Sequence, residues 1–145
     1  MVGYYALFEP DPESDRFFVI TFPDFSWGVS QGENERDGCE MALDLLRTMI
    51  AEHIRRGEKL PQPKKYRGAR YRLITLSALE SAKVELYQVF GPSGVRKADL
   101  ARRLRIPKAN VDRLFDLKRK SRLDQIEDAF HALGKRLTIE IRNAA

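Results

Sequence analysis

The stretch GVRKADLARRLRIPKANVDRLFDLKRKSRL, running from Gly94 to Leu123, decides how the chain is read. Apolar positions recur at helical spacing in two short blocks. Leu100, Ala101 and Leu104 share one face of a first helix, and Val111, Leu114 and Phe115 share one face of a second. Ile106 fills the gap between them, while Pro107 stops the first helix and permits the second to start. The small Ala101 stands where two crossing helices must approach closely. This spacing predicts a helix-turn-helix, whose second helix is shaped to enter the major groove of duplex DNA. Basic residues crowd its outer faces, from Arg96, Lys97, Arg102, Arg103 and Arg105 to Lys118, Arg119, Lys120 and Arg122.

Lys108, Ala109, Asn110 and Arg113 fall on the open start of the second helix. Arg can read guanine and Asn adenine through paired hydrogen bonds worth ~1–3 kcal/mol of discrimination each. The plainer alternative is that some of them touch phosphate or cap the helix. Lys118, Arg119, Lys120 and Arg122 suit phosphate contact, with a merely solvated charge run as the alternative. Arg96 and Lys97, at the start of the first helix, complete the candidate DNA-binding set.

Working outward, 145 residues allow one compact domain or two small ones. The net charge of +5 conceals an uneven distribution. Residues 1–60 hold 12 Asp or Glu and 6 Lys or Arg, whereas residues 61–145 hold 9 and 20. An acidic front suits a basic protein partner, and a basic rear suits nucleic acid. No apolar run approaches the ~18–20 residues that span a bilayer. The single Cys39 can form no internal disulfide, so a reducing cytoplasm is the expected location, with no membrane partner.

The front half predicts a small sheet. Val2–Phe8 and Arg16–Phe22 read as strands of a hairpin around the turn at 9–15, which carries Pro10 and Pro12. A brief third strand is expected at Trp27–Ser30, ending near Gly32. A helix follows, capped by Asn34 and stopped by Gly57, with Cys39, Ala42, Leu43, Leu46, Met49, Ile50 and Ile54 as its apolar stripe. A basic, proline-containing loop at 58–69 leads to a fourth strand at Arg70–Leu76. Ser77-Ala78-Leu79-Glu80 is a capping box that opens a helix running to about Phe90. A last helix, starting near Ser121, carries Leu123, Ile126, Phe130 and Leu133 on one face. The fold class is therefore α+β: a βββαβ sheet-and-helix domain over residues 1–76, joined to a helical domain over residues 77–145.

The tail Leu137-Thr138-Ile139-Glu140-Ile141-Arg142 alternates strictly, and the rear half offers it no strand to pair with. Pairing with the same strand of a second copy satisfies its backbone, so Leu137, Ile139 and Ile141 are the candidate dimerisation residues. A symmetric dimer places two recognition helices roughly 34 Å apart on a palindromic site. Whether dimers pair into tetramers stays open.

The front motifs YYALFEP, FFVITFPDFSWGVSQG and ALDLL, followed by LPQP, together with the rear half, resemble the HicB antitoxin family across nearly the whole chain. The resemblance implies a partial RNase H-like front domain and a helix-turn-helix DNA-binding rear domain. It also implies a type II toxin–antitoxin system, in which the front masks a HicA toxin, a small basic ribonuclease, and the rear represses the operon's own promoter. Three departures stand out. Ser26-Trp27 replaces a common Pro-Gly. Arg105 stands where the turn often holds Gly, and so must take an unusual backbone conformation or widen the turn. Pro107 stands where Ser commonly caps the recognition helix.

The candidate toxin-facing residues are Asp11, Glu13, Asp15 and Asp24, the acids nearest the loops, with Phe22, Phe25 and Trp27 as aromatic anchors. Simple core packing competes for two of those three rings. The acids cluster in a turn instead of converging from neighbouring strands, which argues against a metal-dependent nuclease. No enzyme activity and no cofactor are expected. His53, on the apolar stripe, reads as a packed residue, and Cys39 as packing. A second reading keeps the helix-turn-helix but makes the front a sensor of a small ligand.

Overall fold

The computed structural model describes residues 1–144. The chain divides into two compact units, Met1–Ser81 and a second that begins at Ala82.

The first unit is a four-stranded antiparallel sheet in the order β3-β2-β1-β4, with one helix against it. β1 (Gly3–Pro10) is central between β2 (Phe18–Thr21) and β4 (Tyr71–Thr75), and β3 (Ser30–Gly32) forms the far edge. Alternation along β1 buries Tyr4, Ala6 and Phe8 on one face. The helix α1 (Glu35–Arg56) covers that face with Ala42, Leu46, Met49 and Ile50. Asn34 caps α1 by accepting the Asp37 N–H at 2.9 Å, and Gly57 closes it in the left-handed conformation with φ 69°.

β3 is shorter and later than the expected Trp27–Ser30. Gly28, at φ 94°, breaks the extended run before it, and its Cα faces Met49 and Leu45 of α1 with no room for a Cβ. Entry into α1 then depends on two glycines. A Cβ on Gly32 would lie 2.4 Å from the Gly38 Cα, and one on Gly38 would lie 2.7 Å from the Phe8 ring. Strand, helix and aromatic ring therefore meet at backbone distance.

The second helix, α2 (Ala78–Phe90), starts in the expected capping box. Ser77 N–H donates to Glu80 Oε2 at 3.0 Å, and Glu80 N–H donates to Ser77 Oγ at 3.2 Å. Glu80 also takes Arg47 Nε at 2.7 Å, tying this helix start to α1. The buried Ser81 hydroxyl accepts the Val2 N–H.

In the second unit α3 (Lys97–Leu104), α4 (Lys108–Phe115) and α5 (Leu123–Ala132) pack with α3 against both of the others. Their core is Leu100, Ala101, Val111, Leu114, Phe115, Ile126, Ala129 and Phe130. Leu104 and Leu133 are half-buried and Leu123 is exposed, so the predicted stripes are right in phase and narrower than expected. The tail at 135–144 forms no strand within the single chain. Ile139 is 69% exposed and Ile141 92% exposed, while Leu137 is half-buried.

Candidate nucleic-acid and partner-protein surfaces

The turn between α3 and α4 occupies only Arg105, Ile106 and Pro107. Arg105 adopts the left-handed conformation at φ 55°, ψ 44°, and it is the only non-glycine residue with positive φ among those described. Of the two outcomes left open for an arginine in a glycine place, an unusual backbone or a wider turn, the turn contains the first. Its N–H reaches the Ala101 and Arg102 carbonyls and closes α3. Pro107 then caps α4 without a side-chain acceptor. Its fixed φ of −58° suits a helix entry even though no hydroxyl is present.

This geometry leaves the start of α4 open. Lys108, Ala109 and Arg113 are exposed and Asn110 is half-buried. A cleft of about 170 Å³ runs beside them, with Leu104, Ile106 and Leu114 as its apolar lining and Asn110, Arg113 and Lys120 among its polar groups. From Arg96 to Arg122 the chain carries eleven Lys or Arg against three Asp. Those cations are not equally available. Lys97 bridges to Asp112 of α4 at 2.7 Å, and Arg122 grips Asp124 through two nitrogens at the start of α5. Arg96 lies 3.4 Å from Asp99, and Arg119 3.9 Å from Asp116. Lys108, Arg113, Lys118 and Lys120 make no ion pair among the described residues and project from α4 and the loop after it. Such an unpaired set favours polyanions, because release of condensed counterions drives binding.

One side chain of this unit lay outside the sequence-based candidates. Lys83 of α2 is wholly buried, and its ammonium donates to the carbonyls of Arg113, Asp116 and Arg119. Burial pushes its pKa down, partly opposed by the nearby Asp116 charge. The signal was present in the sequence: Leu79, Lys83, Leu86 and Phe90 share one helical stripe, so a lysine stands where an apolar residue is expected.

In the front unit the three candidate rings separate. Phe22 and Phe25 are buried, the core packing that competed for two of the three rings. Phe25 meets Tyr4 edge-on at 4.9 Å and His53 of α1 at 5.6 Å, and Phe22 packs on Phe25 at 6.3 Å. Within the turn at Pro23–Ser26, Phe25 N–H donates to the Phe22 carbonyl. Trp27 stays 43% exposed, with exposed Val29 beside it. His53 is packed as expected, with its Nδ1 buried and 3.5 Å from a Glu58 carboxylate oxygen, a long separation for a hydrogen bond.

The four acids also differ among themselves. Glu13 and Asp15 project from the turn. Asp11 is occupied locally: one oxygen accepts the Glu13 N–H and the other the Gln31 side-chain amide, both at 2.9 Å. Asp24 holds the long loop before β4, accepting the Lys64 N–H at 3.1 Å and the Tyr66 hydroxyl at 2.8 Å. That loop brings Lys64, Lys65, Arg67 and Arg70 into the front unit. Residues 1–81 consequently hold 13 acids and 11 bases, a milder negative balance than residues 1–60 alone. Tyr66 also stacks on Tyr71 at 5.2 Å, on the sheet face opposite α1, where Leu73 is 54% exposed.

No helix is long and apolar enough to cross a membrane among the described residues, and no three His, Cys, Asp or Glu side chains there are grouped to hold a metal ion.

Comparison with known proteins places these features in a family. Residues 3–85 match the family model described as the HicB-like antitoxin of bacterial toxin–antitoxin systems. The chain is 32% identical over 131 residues to Antitoxin HicB 1 of Photorhabdus laumondii, covering 90% of this chain and 83% of that protein. It is 29% identical over 136 residues to Antitoxin HicB of Escherichia coli K12, covering 94% and 96%. A third relative, Antitoxin HicB of Pseudomonas fluorescens, is 30% identical over 113 residues, covering 78% and 77%. With its front unit matched along nearly its full length and most of the chain aligned to these antitoxins, the chain belongs to the HicB-like antitoxin family.

Proposed function

We propose that this antitoxin neutralises a HicA-type ribonuclease toxin with its front domain and represses its own operon with its rear domain. The front domain (residues 1–76) is read as a partial RNase H-like βββαβ unit, and the rear domain (77–145) as a helix-turn-helix unit. The observation that carries the DNA half is the unpaired cation set Lys108, Arg113, Lys118 and Lys120, grouped on and after the open start of α4. Asn110 and Arg113 border one cleft there, an amide and a guanidinium suited to reading adenine and guanine edges. Arg119 and Arg122 join as phosphate contacts once phosphate competes with their neighbouring Asp partners. Lys97, held by Asp112, serves to brace α3 on α4.

For the toxin half, Glu13, Asp15 and Trp27 are the candidates that project from the front domain, and Asp11 and Asp24 shape the loops that present it. Relatives of this family are antitoxins of toxin–antitoxin systems, so a basic open reading frame of about domain size directly beside this gene would be the natural partner. Leu137, Ile139 and Ile141 are proposed to join two copies, since Ile139 and Ile141 are exposed and, among the described residues, the backbone at 135–144 pairs with no strand.

Co-expression with the neighbouring gene tests the reading. Rescue of growth together with capture of the small protein by this chain supports it, and absence of both sinks the toxin half. Mobility shift with the operon's promoter at low salt tests the DNA half. Light scattering of the full chain against one lacking residues 136–145 tests the tail. An unchanged number of subunits per particle rules out tail-mediated assembly.

A further inference from the structure

Within the rear unit, the end of α4 and the loop that follows converge on one side chain. Lys83 Nζ lies 2.8 Å from the Arg113 carbonyl, 2.8 Å from that of Asp116 and 2.6 Å from that of Arg119. An ammonium has three N–H donors, and here each finds a backbone acceptor. Arg113 lies in the last turn of α4, Asp116 is the residue that ends it, and Arg119 sits in the middle of the Lys118-Arg119-Lys120 run. Carbonyls at a helix end have no intrahelical partner and carry the negative pole of the helix, so a buried cation is suited to close them.

The loop has little else to hold it. Between Phe115 and Leu123 no residue is fully buried, and no regular structure forms. Its other internal bonds are short-range, with Lys118 N–H donating to Asp116 Oδ1 at 2.9 Å and Arg119 N–H to the Asp116 carbonyl at 3.2 Å. A wholly buried lysine is uncommon and takes its place at the cost of desolvation. Here it links the helix that would read bases to the loop that would grip phosphate.

We infer that Lys83 is a positioning residue for DNA recognition, pinning the C-terminal end of α4 and the 116–120 loop to α2 so that Arg113 and the Lys118–Lys120 cations are presented as one rigid set. This rests on the DNA-binding reading above. It adds that the geometry of the surface depends on a residue that cannot itself touch DNA.

The test uses the full chain carrying Lys83→Met, which is unbranched, one atom shorter and loses all three donors, and Lys83→Gln, which keeps two. Amide hydrogen exchange at residues 116–120 is measured without DNA. Affinity for a duplex of the operon's own promoter is measured at fixed salt. In Lys83→Met the loop amides should exchange about tenfold faster or more, and promoter affinity should fall about tenfold, with Lys83→Gln between it and the parent chain. Should Lys83→Met fail to fold, the comparison rests on Lys83→Gln, with exchange in α5 as the internal reference. Unchanged loop exchange in a folded variant overturns the inference, as does faster exchange with unchanged promoter affinity. A parent chain that binds no promoter DNA at low salt refutes the DNA-binding reading instead, and is seen before any variant is made.

Discussion

Tyr66 donates its hydroxyl hydrogen to Asp24 across 2.8 Å, joining residues 42 positions apart and anchoring the long loop before β4 to the turn after β2. The carboxylate raises the Tyr66 pKa, chiefly by accepting this hydrogen bond. Because the folded state favours the protonated phenol, the stabilisation is complete below the ordinary tyrosine pKa of about 10 and is lost as pH rises through the folded value. Asp24→Asn should bring Tyr66 back toward the ordinary range and loosen residues 62–67. Ring-carbon NMR titration of Tyr66 checks the first outcome, and limited proteolysis of the loop the second. A Tyr66 titration that ignores Asp24→Asn refutes the contact.

The meeting of Gly32 and Gly38 gives a second expectation. With only 2.4 Å between a Gly32 Cβ and the Gly38 Cα, the obstacle is backbone and cannot swing aside. Gly32→Ala should destabilise the chain by about 1–3 kcal/mol, the usual cost of overpacking. Gly57→Ala, at a site with open space around it, should lose only the smaller cost of a left-handed alanine. Urea melts of the two variants should rank them in that order.

At Arg105 the left-handed backbone is held by a residue that does not favour it. Arg105→Gly should stabilise the chain by about 0.5–1 kcal/mol, the relief of strain being partly offset by the greater freedom of glycine when unfolded. Arg105→Val should do the opposite, since a β-branched side chain is still less suited to positive φ. Thermal melts of the pair decide the matter, and a more stable Val variant would contradict the turn geometry.

The two kinds of DNA contact in the proposed function should separate under mutation. Arg113→Ala should weaken promoter binding by about 1–3 kcal/mol and relax preference at one base position. Lys118→Ala should weaken all duplexes alike and reduce the slope of log affinity against log salt by about one. Identical behaviour of the two variants in a salt series would remove the distinction between reading and gripping.

Local signals carried much of what was legible. The capping box at Ser77–Glu80, the Asn34 cap and the Gly57 stop all follow from interactions between residues at most five positions apart. The apolar stripes of α1, α3 and α4 were readable for the same reason, since helical periodicity repeats within one turn. Anchor or core stayed open for two of the three front rings because an aromatic residue in a loop looks alike whether it faces solvent or folds inward. Only the distant Tyr4 and His53 decide the place of Phe25. Asp24 read as a surface acid because its partners, Lys64 and Tyr66, are about forty residues away.

By itself the sequence determined the order of sheet and helices, the helix caps and the uneven charge of its two halves, because short-range sterics, capping and composition act without knowledge of the fold. The tertiary structure decided which charges remain free, which rings are buried and where Lys83 sends its ammonium group. Those outcomes depend on distance between residues far apart in the chain, and burial and pairing energies exist only once such residues have been brought together.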